Sequence, residues 1–368
     1  MLEHKEHFHG SDLEKIEKIY GIRKEEIISF SANVNPLGVS PKLRETLSQH
    51  IDAITTYPDR EYTSLRECIG DYVDAPAKRI LVGNGSTELI SILMQIRRPQ
   101  NALIVGPTYS EYEREITLSG GICHYFRLPE EKDFILDPME LVADFTLDTD
   151  LLVICNPNNP TSSIIPRTVL RKILDICKQK GIFVMIDETY MEFAPDCDKM
   201  TAIPLTAYYN NLMILRGISK FFAAPGLRLG YAICGNSDLI QEINQKKNPW
   251  TINSLAAIAG EIMFQDHEYI EETKKLTESE RNRLTKQLSS RDDLHVYPSY
   301  GNFILVKLLR EDITAMDLFE AAIRKNLMIR DCASFPFLDE HFFRFCFMLP
   351  AQNDRLIETL FQALDKKE

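Results

Sequence analysis

Lys220 sits in the largely apolar segment ISKFFAAPG, and Asp187 closes the strongly apolar run IFVMID. A lone lysine is usually a solvated cation. Withdrawn from water, however, its pKa falls and the amine can condense with a carbonyl. A carboxylate ending an apolar strand either caps the next element or faces a cation. The turn Gly83-Asn84-Gly85-Ser86-Thr87 follows another apolar run, and its backbone N–H groups could cradle a phosphate, with Ser86 or Thr87 adding a hydroxyl. Alone, G-x-G after a strand is usually just a tight turn, and Asn156-Pro157-Asn158-Asn159-Pro160 is a turn by default. Tyr109, Tyr190 and Ser219 follow three such runs, and Arg228 precedes the last one.

The combination says more than its parts. An amine, a carboxylate, a phosphate cradle with a guanidinium, an aromatic platform and an Asn/Tyr pair are together what pyridoxal 5'-phosphate requires. The lysine binds its aldehyde, and the carboxylate keeps its ring nitrogen protonated so that the ring can accept electrons. N–H donors, hydroxyls and a guanidinium suit its phosphate. A nicotinamide dinucleotide fits worse, because the third glycine of G-x-G-x-x-G is missing, as is the Gly-Lys of a P-loop.

Elements must bring these residues together. ILVG (80–83), ALIV (102–105), LLVIC (151–155), IFVMID (182–187), LMILRG (212–217) and LGYAICG (229–235) read as buried strands, several followed by helical patterns. This alternation predicts an α/β domain around a mostly parallel sheet, in which ligands bind outside the carboxyl ends of the strands. After Pro249 a helical stretch over 252–289, broken near Asp266, leads into a mixture of short strands and helices. The expected organisation is an N-terminal arm with part of a small domain (1–46), a large domain (47–249) and a small α+β C-terminal domain (250–368). Lys246 and Lys247 read as a cationic patch at a helix C-terminus.

Composition sets the outer bounds. The chain has 368 residues, 44% of them hydrophobic and 26% charged, as in ordinary globular proteins, and length alone suggests about two domains. A net charge of −12 argues against nucleic acid or an anionic membrane as partner, though not against a small anion in a local pocket. The N-terminus shows no secretory signal, and no apolar run approaches the roughly 18 residues of a membrane span. Eight scattered cysteines without a C-x-x-C pair read as free thiols, so a cytoplasmic protein is expected. His4, His7 and His9 cluster in a polar segment, but such histidines are more often unliganded, and no metal is expected.

NPNNPTS (156–162), IDETYMEF (186–193) and SKFFAAPGLRLGY (219–231) resemble the corresponding segments of the aspartate-aminotransferase-like, fold type I pyridoxal-phosphate enzymes, and the likeness extends over essentially the whole chain. Within that superfamily the sequence is similar to histidinol-phosphate aminotransferases and more closely to the threonine-phosphate decarboxylases of cobalamin biosynthesis. The closer match rests on His9-Gly10, FSANVNPLG (30–38), YPDREYTSLR (57–66), GNGSTE (83–88), NPWTINSLAAIAGE (248–261) and IRDCASFPFLDEHFFRF (329–345). The resemblance implies that Lys220 holds the cofactor covalently and that Asp187 partners its ring nitrogen. Asn159 and Tyr190 would contact the ring hydroxyl, and Tyr109 would stack on the ring. Gly85, Ser86, Ser219 and Arg228 would surround the cofactor phosphate, with Thr87 as a further hydroxyl. Tyr57 would reach that phosphate across a homodimer interface. Arg344 matches the arginine for the substrate α-carboxylate, and His9, Asn33 and Arg330 match positions around the substrate. Two positions depart from the pattern: Gly217 stands where a Ser or Thr is usual, and Ser162 replaces a glycine.

The expected reaction is decarboxylation of L-threonine O-3-phosphate, or a close phospho-amino acid, to an aminoalkyl phosphate. A histidinol-phosphate-type aminotransferase is the alternative, and it would use the same residues. A non-catalytic ligand sensor is disfavoured by Lys220 and by the lack of room for an appended DNA-binding domain.

Overall fold

A computed structural model describes residues 12–365, so His4, His7 and His9 lie outside the described residues. Along the chain the strands are β1 (Ile28–Ser29), β2 (Ile80–Asn84), β3 (Asn101–Gly106), β4 (Ile122–Arg127), β5 (Leu151–Cys155), β6 (Phe183–Asp187) and β7 (Leu212–Gly217). They continue as β8 (Leu229–Cys234), β9 (Leu294–Val296), β10 (Phe303–Leu308), β11 (Leu327–Met328), β12 (Arg330–Asp331) and β13 (Phe342–Cys346). Seven strands form one sheet in the order β2-β8-β7-β6-β5-β3-β4, and only β8 runs against the rest. This is the aspartate-aminotransferase-like α/β architecture expected from the sequence.

The inner strands are apolar on both faces because both are covered. On one face Leu81, Ile104, Val153, Met185, Met213 and Leu215 pack with the helices Gly85–Arg97 and Glu111–Leu118. On the other, Val82, Leu103, Ile154, Ile186 and Ile214 join a core that is continuous with the rest of the molecule. The edge strand β4 escaped the sequence reading. Its residues ICHYFR alternate between exposed and partly buried, so it lacks the continuous apolar run of its neighbours.

A second sheet, entirely antiparallel, has the order β12-β13-β10-β9, while β1 pairs in parallel with β11. The N-terminal segment is thereby tied to the C-terminal part of the chain. The long helical stretch breaks where its sequence proposed. Ser254–Met263 ends at Phe264, and the Asp266 carboxylate caps the helix His267–Leu288 by accepting from the N–H of Tyr269. Among the described residues no helix is long and apolar enough to cross a membrane.

Candidate active site

A cleft of about 700 Å³ opens at the carboxyl ends of β5, β6 and β7, between the large sheet and the antiparallel one. Asn33, Ser86, Thr87, Tyr109, Asn159, Asp187, Tyr190, Ser219, Lys220, Arg228, Arg330 and Arg344 all line it, as does Gly217. Residues spread from 33 to 344 therefore converge on one space.

Strand alternation aims the floor of the cleft. Asp187 lies beside Cys155 in register, on the face carrying Met185 and Leu215, and this face looks toward the helix Glu111–Leu118. Glu188, one residue on, faces the other way. Its carboxylate accepts from Arg216, Thr201 and the N–H of Ala202, within a buried ionic cluster. The Asp187 carboxylate accepts from the Tyr112 hydroxyl (2.7 Å) at Oδ2 and from Thr189 Oγ1 (2.6 Å) and N–H (2.9 Å) at Oδ1. Burial raises its pKa, and these donors oppose the rise. Tyr112 and Thr189 were not singled out from sequence, although Tyr112 follows Tyr109 by three residues and shares its helical neighbourhood.

Lys220 extends into the cleft and donates through Nζ to the Ala32 carbonyl at 2.6 Å. Burial, followed by the nearby Arg344 charge, brings its pKa down to about 8. About a tenth of this amine is therefore uncharged at pH 7 and able to attack a carbonyl.

At one end of the cleft the helix Gly85–Arg97 begins at the tip of β2, presenting the N–H groups and hydroxyls of Ser86 and Thr87. Gly85 has φ 76°, and a Cβ on it would strike the Arg228 guanidinium. Its own N–H donates to the Arg228 carbonyl at 3.0 Å, locking the glycine turn to the start of β8. Gly230 allows that turn to approach, because a Cβ there would collide with Ser86 N. Lys247, at the C-cap of the helix Ser237–Lys246, also reaches the strand before the cradle. It is half-buried, donates to the Val82 carbonyl at 3.0 Å and lies over the Tyr62 ring.

At the other end two buried arginines face each other in register, Arg330 on β12 and Arg344 on β13. Arg344 donates to Asn159 Oδ1 and to the Ser31 carbonyl (2.9 Å), and its guanidinium lies over Phe303. The alternation of FFRFCF left its direction open; the register with β12 turns it into the cleft. Asn33, at φ 55°, donates through Nδ2 to the Tyr190 hydroxyl at 3.3 Å, while Asn302 holds the Asn33 carbonyl at 3.0 Å. Asn33 Oδ1, Arg330 Nη1, Arg344 Nε and Ser31 Oγ are buried without a hydrogen-bond partner. Among the described residues no recorded ion pair engages Arg228, Arg330 or Arg344. Opposed like charges and orphaned donors are costly unless an anion is meant to sit between them.

Tyr57 is the exception to this convergence. It is 79% exposed, lies away from the cleft and packs its ring against Trp250 at 4.7 Å.

The donor set fits pyridoxal phosphate. Lys220 could take the aldehyde, and Asp187 could face the ring nitrogen. The helix terminus with Arg228 suits the phosphate, and Tyr109, itself half-buried beside Tyr112, offers a ring face. The arginine pair is then left over for a second anionic molecule.

Comparisons with known proteins agree. The description of class I and II aminotransferases matches residues 25–360. The threonine-phosphate decarboxylase of Salmonella typhimurium is 34% identical over 352 residues, covering 96% of this chain and 95% of the relative. The histidinol-phosphate aminotransferase of Methanosphaera stadtmanae is 30% identical over 363 residues, covering 97% and 96% respectively. The crystal structure of the histidinol-phosphate aminotransferase from Clostridium acetobutylicum superimposes with a TM-score of 0.85 at 29% identity, over 92% of this chain and 99% of that one. With its fold, its cleft and nearly its whole length in agreement, the chain belongs to the class I and II aminotransferase family of pyridoxal-phosphate enzymes.

Proposed function

We propose that this chain is a pyridoxal-phosphate-dependent decarboxylase of L-threonine O-3-phosphate, or of a close phospho-amino acid, yielding an aminoalkyl phosphate. The observation that carries the proposal is the opposed pair Arg330 and Arg344, neither in an ion pair among the described residues, which is separate from Arg228 at the far end of the cleft. Such a pair suits a substrate with two anionic groups, here a carboxylate and a phosphate. The name of the Salmonella typhimurium relative supports the choice of substrate and reaction.

In this mechanism Lys220 would hold the cofactor covalently. Asp187 would partner its ring nitrogen, Asn159 and Tyr190 its ring oxygen, and Tyr109 would offer a face to its ring. Gly85, Ser86, Thr87, Ser219 and Arg228 surround the cofactor phosphate. When bound, the cofactor supplies an electron sink for the pair left at Cα. Arg344 grips the α-carboxylate, while Asn33 and Arg330, with His9 from outside the described residues, take the distal phosphate. These contacts would fix the orientation of the substrate, and so whether CO2 or the α-proton departs. The Lys220 amine, with the Ala32 carbonyl as its resting partner, is the group at hand to return a proton to Cα.

A homodimer belongs to the same proposal. Tyr57, Ile51 and Ile54 are exposed apolar side chains on one segment, with Trp250 beside Tyr57. Burying them against a second copy would bring Tyr57 to the partner's cofactor phosphate. A cytoplasmic location is supported by eight cysteines that are all free thiols.

The test is incubation of the holoenzyme with L-threonine phosphate and no oxo acid. CO2 released over many turnovers supports the decarboxylase. A single half-reaction that stalls with the cofactor aminated would instead identify an aminotransferase of the histidinol-phosphate type, the second reading, which the Methanosphaera stadtmanae relative and the Clostridium acetobutylicum structure favour.

A further inference from the structure

The two opposed arginines are held in different ways. Arg344 is fixed by groups distant in sequence, Asn159 and the Ser31 carbonyl, with Phe303 beneath it. Arg330 is held by the turn that immediately follows its own strand. Its Nη2 donates to Ser334 Oγ at 2.8 Å, and its guanidinium carbon lies 5.4 Å from the Phe335 ring centroid. Its Nη1 remains buried without a hydrogen-bond partner, and Ser334 and Phe335 themselves line the cleft. Arg330 is 5% exposed and Arg344 4%, so water does little to screen their repulsion.

A flexible guanidinium opposite a like charge would swing away from it. Two restraints prevent this. The serine oxygen fixes one edge of the Arg330 plane, and the aromatic face fixes its tilt by cation–π contact. What stays free is Nη1, on a guanidinium already oriented for an anion. We propose that Ser334 and Phe335 are positioning residues that hold Arg330 for the substrate's distal phosphate, and thereby set the preference for phosphorylated over unphosphorylated amino acids. This inference rests on the decarboxylase reading for the identity of the substrate. The anion preference itself does not depend on which reaction follows.

The experiment uses holoenzyme carrying Ser334→Ala, Phe335→Leu or Ser334→Thr. With L-threonine phosphate, Ser334→Ala and Phe335→Leu should raise KM about tenfold, the size expected for one hydrogen bond to a charged group, while kcat changes less than threefold. Ser334→Thr, which keeps the hydroxyl, should restore most of the loss. Affinity for L-threonine, read from the change in visible absorption of the bound cofactor, should not follow the same trend. Equal losses for both ligands, or an unchanged KM, would overturn the proposal. If wild-type enzyme releases no CO2 from threonine phosphate, the decarboxylase reading fails. The positioning role is then read from the same spectral titration, and it stands only if Ser334→Ala weakens the phosphorylated ligand selectively.

Discussion

The Tyr112 hydroxyl donates to Asp187 Oδ2 at 2.7 Å, and both residues are buried. With Thr189 occupying Oδ1, this bond fixes the plane of the one carboxylate on the cleft floor. It also opposes the rise in pKa that burial imposes on this carboxylate.

Tyr112→Phe removes that donor at nearly constant volume. A hydrogen bond to a charged group contributes about 1.5–3 kcal/mol, so the carboxylate becomes more basic and holds the ring proton less usefully for the cofactor. The expected result is a fall in kcat of roughly ten- to hundredfold with KM little changed. Steady-state kinetics and the visible absorption of the holoenzyme measure it, and wild-type values in both would contradict the relationship.

The pH dependence of cofactor capture follows from Lys220. Its pKa lies near 8, below that of an exposed lysine, because burial and the Arg344 charge penalise the ammonium. Only the neutral amine attacks an aldehyde, so capture of pyridoxal phosphate by apoenzyme should accelerate about tenfold per pH unit below 8 and level off above it. Removing the Arg344 charge, as in Arg344→Gln, should move the midpoint upward. Stopped-flow absorbance across pH 6–10 reads both, and a midpoint near that of an ordinary lysine would refute the assignment.

Two glycines at the cleft should respond in opposite ways. Gly85→Ala places a methyl against the Arg228 guanidinium at a left-handed position, where a Cβ costs about 1–2 kcal/mol. Loss of cofactor affinity is expected. Gly217 has room: a Cβ would meet the Leu229 carbonyl at 3.5 Å and Gly230 Cα at 3.8 Å, both ordinary contacts. On the same strand face as Leu215, a serine there would offer a hydroxyl toward the cleft. Gly217→Ser should keep the Tm and tighten cofactor binding by about fivefold, measured by equilibrium dialysis.

Ser162 adopts φ 57°, and its hydroxyl accepts from the backbone N–H groups of Tyr300 (3.1 Å) and Gly301 (2.8 Å). Together with the Ser162 carbonyl, which also accepts from the Tyr300 N–H at 3.0 Å, this hydroxyl ties the Asn-Pro turn to the loop before β10. Ser162→Ala keeps the unfavourable backbone and orphans the Gly301 N–H, while the Tyr300 N–H keeps the Ser162 carbonyl as acceptor at 3.0 Å. A loss of about 1–3 kcal/mol is expected, visible as a Tm lowered by several degrees.

Much of this protein was legible in its amino-acid order. The apolar runs ending in chemistry-bearing residues identified the strands of the large sheet, because parallel strands buried on both faces must be continuously hydrophobic. The same logic concealed β4, whose edge position permits polar residues. Lys220, Asp187 and the Gly85 turn were recognisable as a set, since a cofactor with an aldehyde, a ring nitrogen and a phosphate demands those groups together. Tertiary structure alone decided the rest. It selected Asp187 for the cleft and sent Glu188 to the ionic cluster behind it, through the alternation of β6. It also turned Lys247, at the helix C-terminus the sequence suggested, onto the Val82 carbonyl. Finally, it set Arg330 opposite Arg344 and gave Asp187 its partner in Tyr112. Those pairings arise from strand register and helix packing between residues 14 and 75 positions apart, and no local pattern encodes a contact of that kind.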